Sequence, residues 1–527
     1  MSLIIKEPLV SRGQALSPWT GFYFLQSILI NHALGYEFSL LYAVVLTCFL
    51  WVMWRHAPRT QKVLVGLISL VAASYYPFGQ AYGAPNFNTL LALHSTNMEE
   101  STEILKIFPW YHYAVGVAIF ALGVVSVRRK AQCKVAWTKW DTLAAVFCFG
   151  CYFVGPVQNY FRGYDVHLRD TGIPVLRFVR DVVVNNQGVL DEQASMTQLA
   201  NMKDSWSITA VKPKYHTYVV VIGESVRRDA SGAFGGHWNN TPFASQANGT
   251  FFMDYISASG STQKSLGLTL NRVVNDKPEY QNNFVTLANR AGFQTWWFSN
   301  QGQIGEYDTA IASIAKRADE VQFLKDGDFE ADKNTRDEDL LKMTSQVLST
   351  HRTQPQLIVL HLMGSHPSTC ERSGDKYNEF VQSKETSCYL YSITATDELL
   401  GKLYSQLTNA GDSFSITYFS DHGLTFRERG KEVQYLAHDD KFQQNFQVPF
   451  MVISSDDKTH RVIKARRSAN DFLSFFSQWT GISAKEIKNA YPFVSEQKAG
   501  PVYVTNFKLQ KIDYSRLATD IFEPRNR

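Results

Sequence analysis

The chain has little of what marks several common classes of protein. Lys and Arg number 52 against 48 Asp and Glu, a net charge of +4 over 527 residues. That balance excludes bulk electrostatic attraction to nucleic acid. No internal repeat and no low-complexity tract is present. No small-residue cleavage site follows a short apolar core, so the first apolar segment is expected to remain as an anchor rather than act as a signal peptide. Cysteine is scarce, with six residues. Four of them, Cys48, Cys133, Cys148 and Cys151, sit in or beside long apolar stretches.

What is present is aromatic and unevenly distributed. Aromatics make up 13% of the chain, including 35 Phe and 25 Tyr, which suits membrane spans and their interfacial belts. The mean hydropathy of −0.19 averages two unlike parts. Single cores stop growing near ~250–300 residues, so more than one domain is expected. Five apolar segments are candidate spans: Trp19–Gly35, Ser39–Trp54, Val63–Gln80, Trp110–Val127 and Asp141–Val157. Their lengths approach the ~17–25 residues that cross ~30 Å of hydrocarbon. Trp19, Trp51, Trp54, Trp110 and Trp140 lie near span ends, where indole rings prefer to sit. No intramembrane acidic or basic pair appears among them, which weighs against a transporter.

Basic residues set the expected orientation. Arg55, Arg59 and Lys62 lie between spans two and three, and Arg128, Arg129, Lys130, Lys134 and Lys139 between four and five. Both loops are therefore expected in the cytoplasm, with Lys6 and Arg12 of the N-terminus. Residues 1–160 become a five-helix membrane domain with an outer loop at 81–109. Residues 161–213 form a polar connector, and 214–527 a domain outside the membrane. That outer domain holds only Cys370 and Cys388, 18 positions apart. In an oxidising compartment they are expected to pair, and a loop of that size gains on the order of 3 kcal/mol.

From Tyr215 on, β-rich runs at His216–Ile222, Phe293–Ser299, Gln356–Leu362, Ser415–Ser420, Pro449–Ser454 and Pro501–Thr505 alternate with helical patterns. The helical patterns cover Asn283–Ala291, Asp337–Ser349, Cys388–Asn409 and Ala469–Trp479, with a further helical stretch at Pro174–Asn185 in the connector. The alternation predicts an α/β domain with a mainly parallel sheet covered on both faces. Functional groups in such sheets gather at the carboxyl ends of strands. Glu224, His366, Asp421 and His422 all fall there. Two carboxylates with an imidazole form a mixed oxygen and nitrogen set suited to zinc or manganese. A further ligand is expected from Ser259-Gly-Ser-Thr-Gln-Lys-Ser265, whose hydroxyls precede a helix. A metal and a helix N-terminus together would activate such a hydroxyl, although an N-cap would use the same residue types.

These residues resemble the membrane phosphoethanolamine transferases. Gly-Glu-Ser at 223–225, the hydroxyl cluster, Gly364-Ser-His366, Ser420-Asp-His-Gly423 and Tyr435-Leu-Ala-His438 occur in that family's order. The resemblance covers essentially the whole chain. It implies five spans, a periplasmic sulfatase-like domain of the alkaline phosphatase superfamily, and a multi-pass protein of the bacterial inner membrane. Within the family the chain most resembles the enterobacterial enzymes that decorate osmoregulated periplasmic glucans. Carried over to this sequence, the resemblance makes Glu224, Thr262, Asp421 and His422 zinc ligands, and Thr262 the nucleophile that carries phosphoethanolamine. It makes His366 and His438 phosphate ligands, holders of a second zinc, or proton donors to the leaving group. Thr96 and Glu100, in the outer loop, correspond to residues that grip the donor headgroup, here phosphatidylethanolamine. An interfacial helix in water would read the same way.

The sequence also departs from the family. Lipid A transferases carry Cys-Gly-Thr-x-Thr at the nucleophile, closed by a disulfide, whereas this chain has Ser-Gly-Ser-Thr without a nearby cysteine. Anchoring on Ser265 gives Thr262; an ungapped match on Gly260 gives Gln263, which cannot act, and leaves Ser261 as the alternative. The Asn expected four before Thr96 is Ala92. The acceptor is expected to be a glycan, with lipid A or lipopolysaccharide core sugars as the alternative to the glucan. A membrane-anchored phosphodiesterase or sulfatase would keep the fold, but no Cys/Ser-x-Pro-x-Arg segment for formylglycine follows Glu224. A glycerol-phosphate transferase would differ in donor lipid, and intact Glu224, Thr262, Asp421 and His422 weigh against an inactive scaffold.

Overall fold

The computed structural model describes residues 18–95, 98–130, 136–161, 167–301, 310–325 and 335–522. Thr96 lies outside the described residues, and so does the side chain of Glu100. Lys6, Arg12, Cys133 and Lys134 lie outside them too. The chain divides into two compact units, Met1–Pro85 with Phe108–Asn185, and Asn86–Ile107 with Asn186–Arg527.

In the first unit a helix forms at every candidate span: α1 Pro18–Ala33, α2 Leu40–His56 and α3 Pro58–Tyr82, then, beyond the loop helices, α6 Trp110–Arg128, α7 Lys139–Tyr152 and α8 Val154–Phe161. Three stretches, Pro58–Tyr82, Trp110–Arg128 and Lys139–Gln158, are long and apolar enough to cross a membrane, and α2 is a shorter apolar helix. Small residues let α6 approach α3 closely. A Cβ on Gly116 would lie 2.8 Å from the Ala73 carbonyl oxygen, and one on Gly123 would lie 2.5 Å from the Ser69 Cβ. Close backbone approach of this kind is how apolar helices associate where no hydrophobic drive remains between them. Gln26 bridges three of these helices, donating to Ser69 and accepting from Ser126. An ion pair does join span ends. Arg55, near the end of α2, lies 2.9 Å from Asp141, near the start of α7, so both belong to the end that carries the basic loops.

The second unit contains the loop helices α4 Phe87–Ser95 and α5 Met98–Ile107, and the later part of α9 Pro174–Ala200. The helix expected to stop at Asn185 therefore runs fifteen residues further. Its later turns bury Val189 against Phe87 and Leu90 of α4, cover that sequence patterning alone does not reveal.

Among the described residues the main sheet has nine strands. They are β1 Thr217–Gly223, β2 Gly249–Ile256, β3 Gln294–Ser299, β4 Glu320–Phe323, β5 Gln356–His361, β6 Phe414–Ser420, β7 Gln447–Ser454, β8 His460–Ile463 and β9 Arg467–Ser468. The order is β8-β2-β7-β6-β1-β5-β3-β4, with β9 also pairing with β2. Only β7 runs antiparallel to its neighbours. All seven residues of β1 are buried, as both faces of a covered parallel strand must be. Tyr218, Val220 and Ile222 enter one cluster with α10 Thr262–Thr269, α11 Phe284–Arg290 and α14 Phe472–Thr480. Val219 and Val221 enter the other, with α12 Asp339–Leu348 and α13 Lys384–Ala410. Each such side chain contributes about 1.5–3 kcal/mol through burial.

Some expectations need correction. Gly249–Ile256 reads as no strand in the sequence yet pairs β7 with β8. It is buried over most of its length, and a strand covered on both faces has no alternating pattern to detect. The run at Pro501–Thr505 forms only Tyr503–Thr505, paired with Lys511–Asp513 in a separate hairpin outside the sheet.

Candidate active site

The strand order brings the loaded positions together. β1 lies between β5 and β6, and the register aligns Gly223 with Ser420 and Ile222 with His361. Glu224 therefore leaves the sheet beside Asp421 on one side and Leu362 on the other. Ser225, at φ 63°, holds the left-handed conformation that a non-glycine residue adopts only under local constraint. The constraint is visible. Its N–H donates to Asp421 Oδ1 at 3.0 Å and its hydroxyl to Glu224 Oε1 at 2.6 Å.

Thr262 opens the eight-residue helix α10. Its hydroxyl donates to Glu224 Oε2 at 2.9 Å and lies 3.1 Å from His422 Nε2. Ser261 precedes it at the cap position, but its hydroxyl makes no capping bond and is buried without a partner among the described residues. Ser265, one turn on, donates to the Asp421 backbone carbonyl at 2.6 Å and so fastens α10 to the end of β6. Just before α10, Gly260 permits a close approach to the segment that carries His438, since a Cβ there would lie 2.3 Å from the Asp439 carbonyl oxygen.

The donor set fits a metal cation. His422 Nδ1 faces the Gly423 carbonyl at 2.9 Å, so Nδ1 carries a hydrogen and a neutral ring presents the Nε2 lone pair. Nε2 lies 3.3 Å from Glu224 Oε1 and 3.4 Å from Asp421 Oδ2. Asp421 Oδ2 is buried with no hydrogen-bond partner among the described residues. One ligand atom each from Glu224, His422 and His438 lie within 4.8 Å of one another. This group has His438 in the place of Asp421, and Glu224 and His422 are common to both sets.

Electrostatics point the same way. Burial, and then the Glu224 charge, push Asp421 up to about 8. Burial works to raise Glu224, but His422, His366 and the Ser225 hydroxyl together hold it well below the usual carboxylate range. Against its burial, Asp421 and Glu224 push His422 up to about 9. Two carboxylates converging in a buried site demand a positive charge between them, and a divalent cation supplies it more fully than a shared proton.

His366 follows β5 on a turn and stands half-buried, with its ring 6.4 Å from His438; the His422 and His438 rings are 4.8 Å apart. His438 directly follows Tyr435–Ala437, which pairs with Thr425–Arg427. Burial pushes His366 down to about 4 and His438 to about 3, so both rings are neutral near pH 7. Cys370 and Cys388 are joined by a disulfide, with Cα atoms 4.9 Å apart, and it ties the segment after His366 to the start of α13.

Several contributors escape sequence reasoning. Asp337 accepts from the Met363 and Gly364 N–H groups and from Asn300, pinning the turn that carries His366. Gln301 donates to Glu224. Arg372 pairs with Glu103 of α5, and the Ser368 hydroxyl donates to the Glu103 carbonyl. Gln301 stands just past β3, where the strand-end rule would have found it; Glu103 and Arg372 carry no such signal.

Residues 216–482 match the family described as Sulfatase. The chain is 72% identical over 526 residues to the phosphoethanolamine transferase OpgE of Escherichia coli (strain K12), covering 100% of both. Its fold resembles the integral membrane lipooligosaccharide phosphoethanolamine transferase A of Neisseria meningitidis, with a TM-score of 0.61 at 17% identity, over 89% of this chain and 97% of that one. It also resembles the periplasmic domain of EptC from Escherichia coli in complex with Zn, with a TM-score of 0.52 at 20% identity, over 59% of this chain and 96% of that one. A match of this strength along the entire sequence makes the chain an enzyme that belongs to the phosphoethanolamine transferases, with a sulfatase domain over residues 216–482.

Proposed function

We propose that the enzyme moves phosphoethanolamine from phosphatidylethanolamine to a hydroxyl of a periplasmic glycan, osmoregulated periplasmic glucan foremost, by way of Thr262 and with zinc as cofactor. The observation that carries this is the placement of Thr262. The residue opens a helix, and its hydroxyl donates to one buried carboxylate and faces His422 Nε2. Glu224, Thr262, Asp421 and His422 are the residues that would hold the zinc. When bound, zinc supplies the positive charge that favours an ionised hydroxyl and offsets charge on the phosphoryl oxygens.

In the first half-reaction Thr262 Oγ1 loses its proton and bonds to phosphorus. The bond from phosphorus to the glycerol oxygen breaks, and the departing diacylglycerol takes up one proton. In the second, an acceptor hydroxyl bonds to phosphorus, the bond to Thr262 breaks, and the acceptor's proton returns to Thr262. The leading N–H groups of α10 would offer donors to the transferred phosphoryl group. Neutral His366 and His438 bind that group or a second zinc, a role their lowered pKa values favour over proton donation as imidazolium. Thr96 and Glu100 grip the donor headgroup.

Residues 1–160 anchor the enzyme in the bacterial inner membrane as a multi-pass domain. The outer loop 81–109, the connector 161–213 and the catalytic domain 214–527 then lie in the periplasm, opposite the loops that carry Arg55, Arg59, Arg128 and Arg129.

The test is intact-protein mass after detergent-purified enzyme meets phosphatidylethanolamine. A gain of one phosphoethanolamine is expected in wild type and in Ser261→Ala, and none in Thr262→Ala or a chelated sample. A gain retained by Thr262→Ala would overturn the assignment of the nucleophile.

A further inference from the structure

We propose that Gln301 is a positioning residue for Glu224, a neutral double donor that fixes the carboxylate in the orientation the metal requires. Gln301 Nε2 donates to Glu224 Oε2 at 3.0 Å and to the Leu362 carbonyl oxygen at 3.0 Å. Both partners accept only, so the amide nitrogen, not its oxygen, must face them. The two bonds use both amide hydrogens and tether the carboxylate to the backbone just past β5.

The other carboxylate oxygen is held separately, by the Ser225 hydroxyl at 2.6 Å. Glu224 is thus fastened at both oxygens and fully buried, and its remaining lone pairs are directed towards Thr262 and His422. Gln301 is itself braced. Its backbone N–H donates to the Ser299 hydroxyl at 3.1 Å, and that hydroxyl lies 3.1 Å from His361 Nδ1. Ser299 and His361 occupy matched positions on the adjacent strands β3 and β5, so the brace is as rigid as the sheet.

A neutral amide matters here. A Lys or Arg at this position would also orient the carboxylate, but its charge would compete with the cation for Glu224. A glutamine orients without neutralising. Partners of this kind set metal affinity, and their loss typically costs about 10–100-fold.

The inference rests on Glu224 being a zinc ligand. The test is zinc affinity, measured by competition with a chromophoric chelator on full-length enzyme in detergent, for wild type, Gln301→Ala, Gln301→Glu and Ser299→Ala. Thermal melting is followed alongside. Gln301→Glu fills the same space but offers no donor when ionised, so a space-filling role would tolerate it. Zinc binding about 10–100-fold weaker in both Gln301 variants, with a smaller loss in Ser299→Ala, is expected. In phosphoethanolamine transfer kcat should fall while KM for the lipid donor holds. Folded Gln301→Ala and Gln301→Glu with zinc affinity within about twofold of wild type would overturn the inference and leave the zinc site standing. Wild type that binds no zinc would instead sink the zinc site and this inference with it.

Discussion

Thr262, Glu224 and His422 meet within hydrogen-bonding distance although 38 and 160 positions separate Thr262 from the other two. Each residue type was legible in the sequence as a candidate ligand or nucleophile; their distances were not. A buried neutral imidazole nearby gives a measurable consequence. His361, at the end of β5, is pushed down to about 4 by burial from an ordinary value of 6.5. The folded state then binds fewer protons than the unfolded chain between those values. Its contribution to stability is complete above pH ~6.5 and is lost as pH falls towards ~4, by about 2 kcal/mol between pH 7.5 and pH 5. His361→Gln should lower the melting temperature at pH 7.5 yet show a shallower decline towards pH 5, because no group at 361 then takes up a proton. An unchanged slope would mean that His361 does not titrate in this window.

At the scale of elements, the site is made by the turns that follow β1, β5 and β6. Period and composition revealed those strands and their helices, since Tyr218–Ile222 and Leu357–Leu360 are apolar runs preceded by the polar Thr217 and Gln356 and ended by Gly223 and His361. The turns were less legible because their shapes depend on contacts from other strands. Gly364 shows why. It stands at φ +50°, and a Cβ there would lie 3.0–3.2 Å from the backbone and Cβ of Glu224. Gly364→Ala should destabilise the fold by about 1–2 kcal/mol through left-handed strain alone. Transfer activity should fall further than that loss explains, because relieving the contact moves Glu224. Comparing residual activity with the fraction folded by thermal melting separates the two effects. Activity that merely tracked the folded fraction would show that the turn does not position the carboxylate.

On the scale of the whole molecule, the second unit gathers segments that the chain order separates. Helices α4 and α5 arrive from between two apolar segments, yet Phe87 and Leu90 pack on Val189, and Glu103 pairs with Arg372. Both members of that ion pair are largely sequestered, with 6% and 12% of their side chains exposed. Removing one partner leaves the other charge poorly solvated, so Glu103→Ala should cost about 3 kcal/mol. Glu103→Ala combined with Arg372→Leu should recover much of it. A double variant no more stable than Glu103→Ala would assign the effect to packing instead. The sequence by itself determined the apolar helices, the α/β alternation, the family and the residues at strand ends, because these are local patterns of period, composition and motif. Only the tertiary structure decided that β1 lies between β5 and β6, that β2 enters the sheet, that Gln301 braces Glu224 and that α5 reaches Arg372. Those outcomes follow from strand order, register and the burial of distant side chains against one another, none of which a local pattern encodes.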